Sequence, residues 1–190
     1  MKKILAISIF LLSLGLCASA APDQVDSPIL PALDNRFEFD IDFYDPTTAF
    51  IRLDGEEYDL SIDPAEIIEF AKQYMGRPYR RGAKGPKAFD CSGFTSFVYS
   101  NFDISLSPSS STQSKQGEEI LRSDIQPGDL LFFKGRGGSS VGHVGIAVDV
   151  EDTGNVKFIH AATSGGIRID NLNDAGYYQK RYVGARRVIK

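Results

Sequence analysis

The cysteines and histidines of this chain are few enough to be considered one by one. Its 190 residues include two cysteines, Cys17 and Cys91, and two histidines, His143 and His160. Cys91 follows an aspartate and begins an apolar pattern of helical spacing, so we predict that it opens a helix. The positive end of a helix dipole favours a thiolate and lowers the pKa of a thiol placed there. A thiolate with an imidazole to accept and return its proton can carry out nucleophilic catalysis.

Both histidines fall in predicted strands of one sheet, over residues 143–150 and 157–161. A turn around residues 152–155 separates these strands, so we expect them to be antiparallel neighbours with their imidazoles side by side. One imidazole would face Cys91 while the other holds the first in the useful tautomer. Taken alone, the three residues leave other roles open. A lone Cys is often a small core residue, strand histidines are often structural, and a Cys–His–His set also suits catalytic zinc.

The first twenty residues have the composition of an export signal. Lys2 and Lys3 supply a basic start, residues 4–16 are apolar, and Ala18-Ser19-Ala20 offers small residues at the cleavage site. We predict that residues 1–20 are a signal peptide, which places the protein in the periplasm or cell envelope. The apolar run is too short for a permanent anchor, and we expect no membrane span elsewhere. Cys17 loosely resembles a lipoprotein acceptor, but Leu16 suits that site poorly, so lipidation is the alternative.

Charge and composition exclude some partners. The formal net charge is −4 at pH 7, and the basic residues form no obvious cluster. This argues against non-specific nucleic-acid binding and against a basic membrane-binding surface. We expect a monomer with no cofactor and no bound metal.

Periodicity along the chain predicts an α+β domain. Residues 21–60 should form a lead-in and a short acidic β extension, with a strand from Phe37 and a hairpin at Asp54-Gly55. Residues 61–190 should form one domain, in which helices precede an antiparallel sheet. The predicted helices cover residues 65–74 and 91–102, capped by Asp63 and Asp90. The predicted strands cover residues 129–133, 143–150, 157–161, 166–169 and 182–188.

Several motifs within residues 64–188 resemble, in order, those of the NlpC/p60 family of papain-like bacterial cell-wall cysteine peptidases. The segment Phe89-Asp90-Cys91-Ser92-Gly93-Phe94 is similar to the family's nucleophile motif, and Gly142-His143-Val144-Gly145 to the strand bearing its general base. The other similar segments are Gly76-Arg77-Pro78-Tyr79, Ser109 to Gln113, Gly128 to Phe133 and Phe158-Ile159-His160-Ala161. The resemblance implies a papain-like α+β fold with the nucleophile helix packed on a small antiparallel sheet.

The resemblance also implies a role for four residues. Cys91 would attack the scissile carbonyl, and His143 would act first as base and then as acid. His160 would orient His143. Tyr79 would help to stabilise the oxyanion, together with the backbone N–H of Cys91.

Asp90 and Ser92 flank the nucleophile, and in the family such a pair often holds the free amine of the substrate peptide. Tyr79 and Asp90 have a structural alternative, the tyrosine as a core residue and the aspartate as a helix cap. One position departs from the family pattern: Ala83 follows Gly82 where two glycines are usual, which affects the loop over the substrate.

The implied activity is hydrolysis of amide bonds in peptidoglycan stem peptides, with peptidoglycan or murein peptides as partners. The bond between D-glutamate and diaminopimelate or lysine is the commonest choice, and the D-alanyl–diaminopimelate cross-link is the alternative. Other readings are a wall-binding protein without activity, a metal-dependent hydrolase, and an amidase or transferase acting on other exported amides.

Overall fold

The computed structural model describes residues 50–53, 56–59, 61–174 and 176–189. These belong to two compact units, and the boundary between them along the sequence falls between Ser61 and Ile62. The first unit contains the hairpin predicted at Asp54-Gly55, formed by antiparallel β1 (Phe50–Leu53) and β2 (Glu56–Asp59). The predicted signal peptide and the predicted strand at residues 37–43 lie outside the described residues. No helix in the described ranges is long and apolar enough to cross a membrane.

The helices of the second unit begin where the capping residues place them. Helix α1 (Pro64–Lys72) is preceded by Asp63, whose carboxylate accepts a hydrogen bond from the Ala65 N–H at 2.8 Å. Helix α2 (Cys91–Ser100) is capped by Asp90, as predicted. A four-residue helix, α3 (Ser110–Gln113), was not predicted, because one turn is too short to show a helical period.

A six-stranded antiparallel sheet follows the helices, with strand order β3-β8-β4-β5-β6-β7. Five strands confirm predictions, whereas β3 is a three-residue edge strand without a recognisable pattern. The strand predicted at residues 166–169 extends to Asn171 as β7, which forms the other edge of the sheet. The strands are β3 (Glu118–Ile120), β4 (Leu130–Lys134), β5 (Val141–Val150), β6 (Val156–Ala162), β7 (Gly166–Asn171) and β8 (Tyr182–Arg187).

Strand β4 is buried on both faces and divides the apolar interior into two clusters. Leu130 and Phe132 pack with the apolar side of α2, whereas Leu131 and Phe133 belong to a second cluster. Burial on both faces explains the unbroken apolar run of β4. The α+β prediction is confirmed, and α2 packs on strands β5 and β6, which carry the two histidines.

Candidate active site

Cys91 is the first residue of α2 and is partly buried. Its thiol lies by the backbone N–H groups of Ser92 and Val144 and by its own N–H, all of which favour the thiolate. Burial and the negative charge of Asp90 nevertheless raise the pKa of the Cys91 thiol. The expected lowering of this pKa is therefore wrong in direction, and the resting thiol is protonated at neutral pH.

His143 and His160 lie side by side on β5 and β6, as predicted. His143 Nε2 is 2.9 Å from His160 Nδ1, and His160 Nε2 is 3.0 Å from Asp170 Oδ2. On its other side, Asp170 Oδ1 accepts from Arg168 Nε at 2.8 Å. His143 directly precedes Val144, whose N–H lies by the thiol, so this polar chain runs from the neighbourhood of Cys91 to Arg168.

The carboxylate of Asp170 determines which atom donates in each hydrogen bond between Asp170, His160 and His143. Burial raises the pKa of Asp170, but hydrogen bonds from His160 and Arg168 outweigh it and bring the pKa to about 2. An ionised carboxylate only accepts hydrogen bonds, so His160 Nε2 must carry a proton. In a neutral His160, Nδ1 then accepts, and His143 Nε2 must donate to it. His143 Nδ1 is left without a proton and is the nitrogen able to take one from the thiol.

Both imidazoles are neutral at physiological pH, as these donor and acceptor roles require. Burial lowers the pKa of His143 to about 3, assisted by the adjacent His160 and by the positive charge of Arg181. Burial also lowers the pKa of His160, although the hydrogen bond that His160 donates to Asp170 acts in the opposite direction. The resting pair at Cys91 is therefore a thiol and a neutral imidazole, and charge separates only when the thiol reacts.

Aromatic rings pack around the imidazole pair, in which His160 is fully buried and His143 is half-buried. The His160 ring centroid lies 4.9 Å from that of Phe158 and 5.2 Å from that of Tyr178, and Phe133 lies 5.9 Å from His143. The Tyr178 hydroxyl is 3.4 Å from His160 Nε2 and hydrogen-bonds Asp170. This packing fixes both rings and strengthens the hydrogen bonds between them, because the surroundings have a low dielectric constant.

A cavity of about 460 Å³ opens beside these groups and is lined by Tyr79, Cys91 and His143 among others. Burial and the nearby Cys91 raise the pKa of Tyr79, so its phenol keeps the proton it would donate. The loop that carries Tyr79 lies close to β7. Gly166 permits this approach, since a Cβ at that position would lie 2.1 Å from the Arg77 carbonyl oxygen. The Ile167 N–H donates to that oxygen at 2.9 Å.

Asp90 and Ser92 are occupied by hydrogen bonds within the protein. Asp90 accepts from the Gly82 N–H at 2.8 Å and from the Gly93 N–H at 2.6 Å. The Ser92 hydroxyl is 3.1 Å from the Pro108 carbonyl oxygen, and the residue is 7% exposed. Neither residue is part of the lining of the described cavity. These contacts match the structural alternative for Asp90, and the substrate-binding role of the pair stays a prediction.

Gln113, the last residue of the Ser/Thr-rich segment, holds the first turn of α2 in place. It is fully buried; its amide NH₂ donates to the Ser107 carbonyl at 2.8 Å and to the Ser92 carbonyl at 3.2 Å. Its amide oxygen accepts from the Thr95 hydroxyl at 2.9 Å. The first turn of α2 is thereby held to the loop that precedes α3.

The geometry also bears on metal binding. Within the described ranges, no three His, Cys, Asp or Glu side chains are grouped as metal ligands. His143 Nε2 and His160 Nδ1 face each other across a hydrogen bond, so these two nitrogens do not converge on a common ion.

Sequence reasoning missed Asp170, Arg168 and Tyr178. The register of β6 and β7 pairs His160 directly with Arg168, and Asp170 lies two residues further along β7 on the same face. Continuing the Ile167–Ile169 alternation by one residue was the available signal. Tyr178 lies in a segment between strands, where periodicity offers no signal for its position.

Comparison with known proteins places the chain in a family. A model of the NlpC/P60 family matches residues 76–187. The probable endopeptidase p60 of Listeria grayi is 44% identical over 109 residues, covering 57% of this chain and 20% of that protein. The murein DD-endopeptidase MepS/murein LD-carboxypeptidase of Escherichia coli (strain K12) is 37% identical over 126 residues, covering 66% of this chain and 63% of that protein.

The fold agrees with this assignment. The crystal structure of an NlpC/P60 family protein from Bacillus cereus ATCC 10987 superposes with a TM-score of 0.61 at 28% sequence identity, covering 77% of this chain and 52% of that one. The chain therefore belongs to the NlpC/P60 family and has its papain-like fold, as the motifs predicted. It spans only about a fifth of the length of the Listeria relative.

Proposed function

We propose that this protein is a cysteine endopeptidase that hydrolyses amide bonds in peptidoglycan stem peptides. The observation that carries the proposal is the hydrogen-bonded series Asp170–His160–His143, which leaves His143 Nδ1 ready to accept a proton in the cavity that Cys91 also lines. The relatives named as endopeptidases support the substrate class.

The reaction follows from the positions of the groups. As Cys91 Sγ attacks the carbonyl carbon, its proton passes to His143 Nδ1. The Cys91 backbone N–H and the Tyr79 hydroxyl donate to the developing oxyanion. The imidazolium, which still donates to His160 through Nε2, then gives its proton to the departing amine. Water, deprotonated by His143, finally hydrolyses the thioester and restores the thiol.

Two bonds in the stem peptides are candidates for cleavage. The bond between D-glutamate and diaminopimelate or lysine is the first. The cross-link between D-alanine and diaminopimelate is the alternative, and the name of the E. coli relative, a murein DD-endopeptidase, favours it.

The proposed location is the periplasm or cell envelope, where the substrate lies. The basic start, the apolar run and the small residues ending at Ala20 support export. N-terminal sequencing of protein recovered from the cell envelope should therefore begin at Ala21. A mature N-terminus at a lipid-modified Cys17 would establish the alternative.

The test of function is digestion of purified peptidoglycan under reducing conditions, with mass spectrometry of the products. We expect stem-peptide fragments from the wild type and none from Cys91→Ala. Alkylation of the thiol should abolish release, whereas a chelator should leave it unchanged, which separates this mechanism from that of a metal-dependent hydrolase. If the wild type releases no fragment from several wall types, the proposal is wrong.

A further inference from the structure

The charge of the cavity is opposite to that of the chain. The chain carries a formal net charge of −4, yet the charged residues lining the cavity are basic except for Asp170: Lys134, Arg136, Arg168 and Arg181. Arg168 is ion-paired with Asp170. The remaining positive charge of the lining therefore belongs to Arg181 and to the turn at residues 134–136. This positive charge would attract an anionic part of a ligand.

Arg181 is held in one orientation. Its Nε and Nη2 donate to the Lys134 carbonyl oxygen at 3.1 and 2.8 Å, and its guanidinium lies 4.6 Å from the centroid of the Tyr177 ring. These contacts occupy one edge of the guanidinium. The outer edge, formed by Nη1 and Nη2, keeps the pair of N–H groups that matches the two oxygens of a carboxylate.

Three arginines on strands of the same sheet are already paired, whereas Arg181 is not. Arg168, Arg186 and Arg187 each form an ion pair with an aspartate or glutamate. Within residues 61–174 and 176–189, no carboxylate is ion-paired with Arg181. A fixed guanidinium with a free edge at the wall of a cavity has the chemistry of a carboxylate-binding group.

The sheet register places Arg181 on the histidine side of the cavity. Tyr182, Phe133 and His143 form one row across β8, β4 and β5, and Arg181 directly precedes Tyr182. The positive charge of Arg181 reaches far enough to lower the pKa of His143. In the proposed reaction, His143 gives its proton to the departing amine, so the residue that carries this amine must lie on the same side.

We propose that Arg181 anchors a subsite for a free carboxylate on the residue that carries the departing amine. This inference rests on the proposed function and narrows it. In a D-alanyl–diaminopimelate cross-link, the departing nitrogen is attached to a carbon that bears a free carboxylate. In a D-glutamyl–diaminopimelate bond of an intact stem, the corresponding carboxyl is joined to the next residue as a neutral amide. The subsite therefore favours the cross-link.

Two cross-linked peptide dimers test this subsite directly. They differ only at the carbon next to the scissile nitrogen, where one carries a free carboxylate and the other the amide. We expect the wild type to cleave the free carboxylate form with a kcat/KM about 10- to 100-fold higher, the range for a charge-assisted hydrogen bond. In Arg181→Gln this ratio should fall to about one. Because both rates come from one preparation, their ratio does not depend on the fraction of folded protein.

Lys180→Gln is the matched control. It removes a positive charge from the adjacent residue, which is exposed and outside the lining of the cavity, and it should keep the wild-type ratio. A wild-type ratio near one, or an Arg181→Gln ratio equal to that of the wild type, overturns the subsite. Failure of the wild type to cleave any stem peptide overturns the proposed function instead, so the two failures are distinguishable.

Discussion

Two aspartate–arginine pairs lie in the same sheet domain and do different things. Asp129, 1% exposed, accepts from Arg187 Nε and Nη2 at 2.9 Å each and from the Gln126 N–H at 2.8 Å. Every partner of this carboxylate is a group with fixed protonation. Asp170 also pairs with an arginine, Arg168, but its second oxygen receives the N–H of His160.

The two aspartates differ because Asp170 has a partner, His160, that can change its protonation, whereas Asp129 has none. At Asp129 the ion pair joins the start of β4 to β8, and its contribution is to stability. At Asp170 the carboxylate selects which nitrogen of His160 carries the proton, and His160 passes this selection to His143. The same pair of residue types is therefore structural in one place and, in the other, sets the tautomer of His143, the proposed general base.

The largest effect on activity should follow Asp170→Asn. The amide can present NH₂ to His160, which would then accept at Nε2 and donate at Nδ1, so that His143 holds its proton at Nδ1 and cannot serve as base. We expect kcat to fall about a hundredfold or more, with a small change in Tm. Steady-state kinetics and thermal melts on the same preparation measure both. Wild-type kcat in this variant would remove Asp170 from the account.

The opposite result is expected for Asp129→Asn. Asp129 is buried but the Arg187 side chain is 28% exposed, so losing this carboxylate should cost about 1.5–3 kcal/mol of unfolding free energy, the range for hydrogen bonds to charged groups. Denaturant titration should detect this loss, while kcat per folded molecule stays near the wild-type value. A variant of full stability and reduced kcat would show that the Asp129–Arg187 pair also acts on the reaction.

The pH dependence of kcat/KM should reflect the neutral resting pair. Activity requires an unprotonated His143 and a protonated Cys91 thiol, or the equivalent ion pair. Because the pKa of His143 is lowered to about 3 and that of Cys91 is raised, the profile should be level from about pH 5 to pH 8. Asp129→Asn should keep this shape. An acid limb near 6.5, the ordinary histidine pKa, would contradict the assigned protonation states.

The smallest effect is expected for Arg168→Gln. Its side chain is 48% exposed, so solvent screens its charge, and such pairs contribute about 1 kcal/mol or less. Asp170 keeps its hydrogen bond to His160, and the direction of the proton chain is preserved. We expect kcat to fall by only a few-fold in the assay used for Asp170→Asn. A loss as large as that of Asp170→Asn would mean that Arg168, not the carboxylate, dominates the site.

Short-range sequence patterns predicted much of this site, but they did not predict contacts between residues far apart in the sequence. The capping position of Asp90 located the start of α2, and the alternation around His143 and His160 placed the imidazoles together, because both are short-range patterns. Asp170 was missed since Asp170-Asn171 resembles a turn, whereas pairing of Asn171 with Lys157 continues the strand. That pairing depends on a partner strand, which periodicity alone does not reveal.

The protonation of Cys91 escaped prediction for a related reason. Its place at a helix start is readable from the sequence and favours a lowered pKa, but burial is a property of the folded domain and dominates here. Likewise, the residues around Asp90 do not disclose that its carboxylate is taken by the N–H of Gly82, eight positions earlier.

The tautomer of His143 tests most directly whether Asp170 sets the protonation of His143 through His160. The chain has two histidines, so nitrogen NMR of protein labelled at histidine observes two rings, assigned with a His160→Gln variant. We predict that both rings carry their proton at Nε2 at neutral pH, leaving Nδ1 of His143 unprotonated, and that Asp170→Asn moves the proton of His143 to Nδ1. A wild-type His143 protonated at Nδ1 would contradict the account.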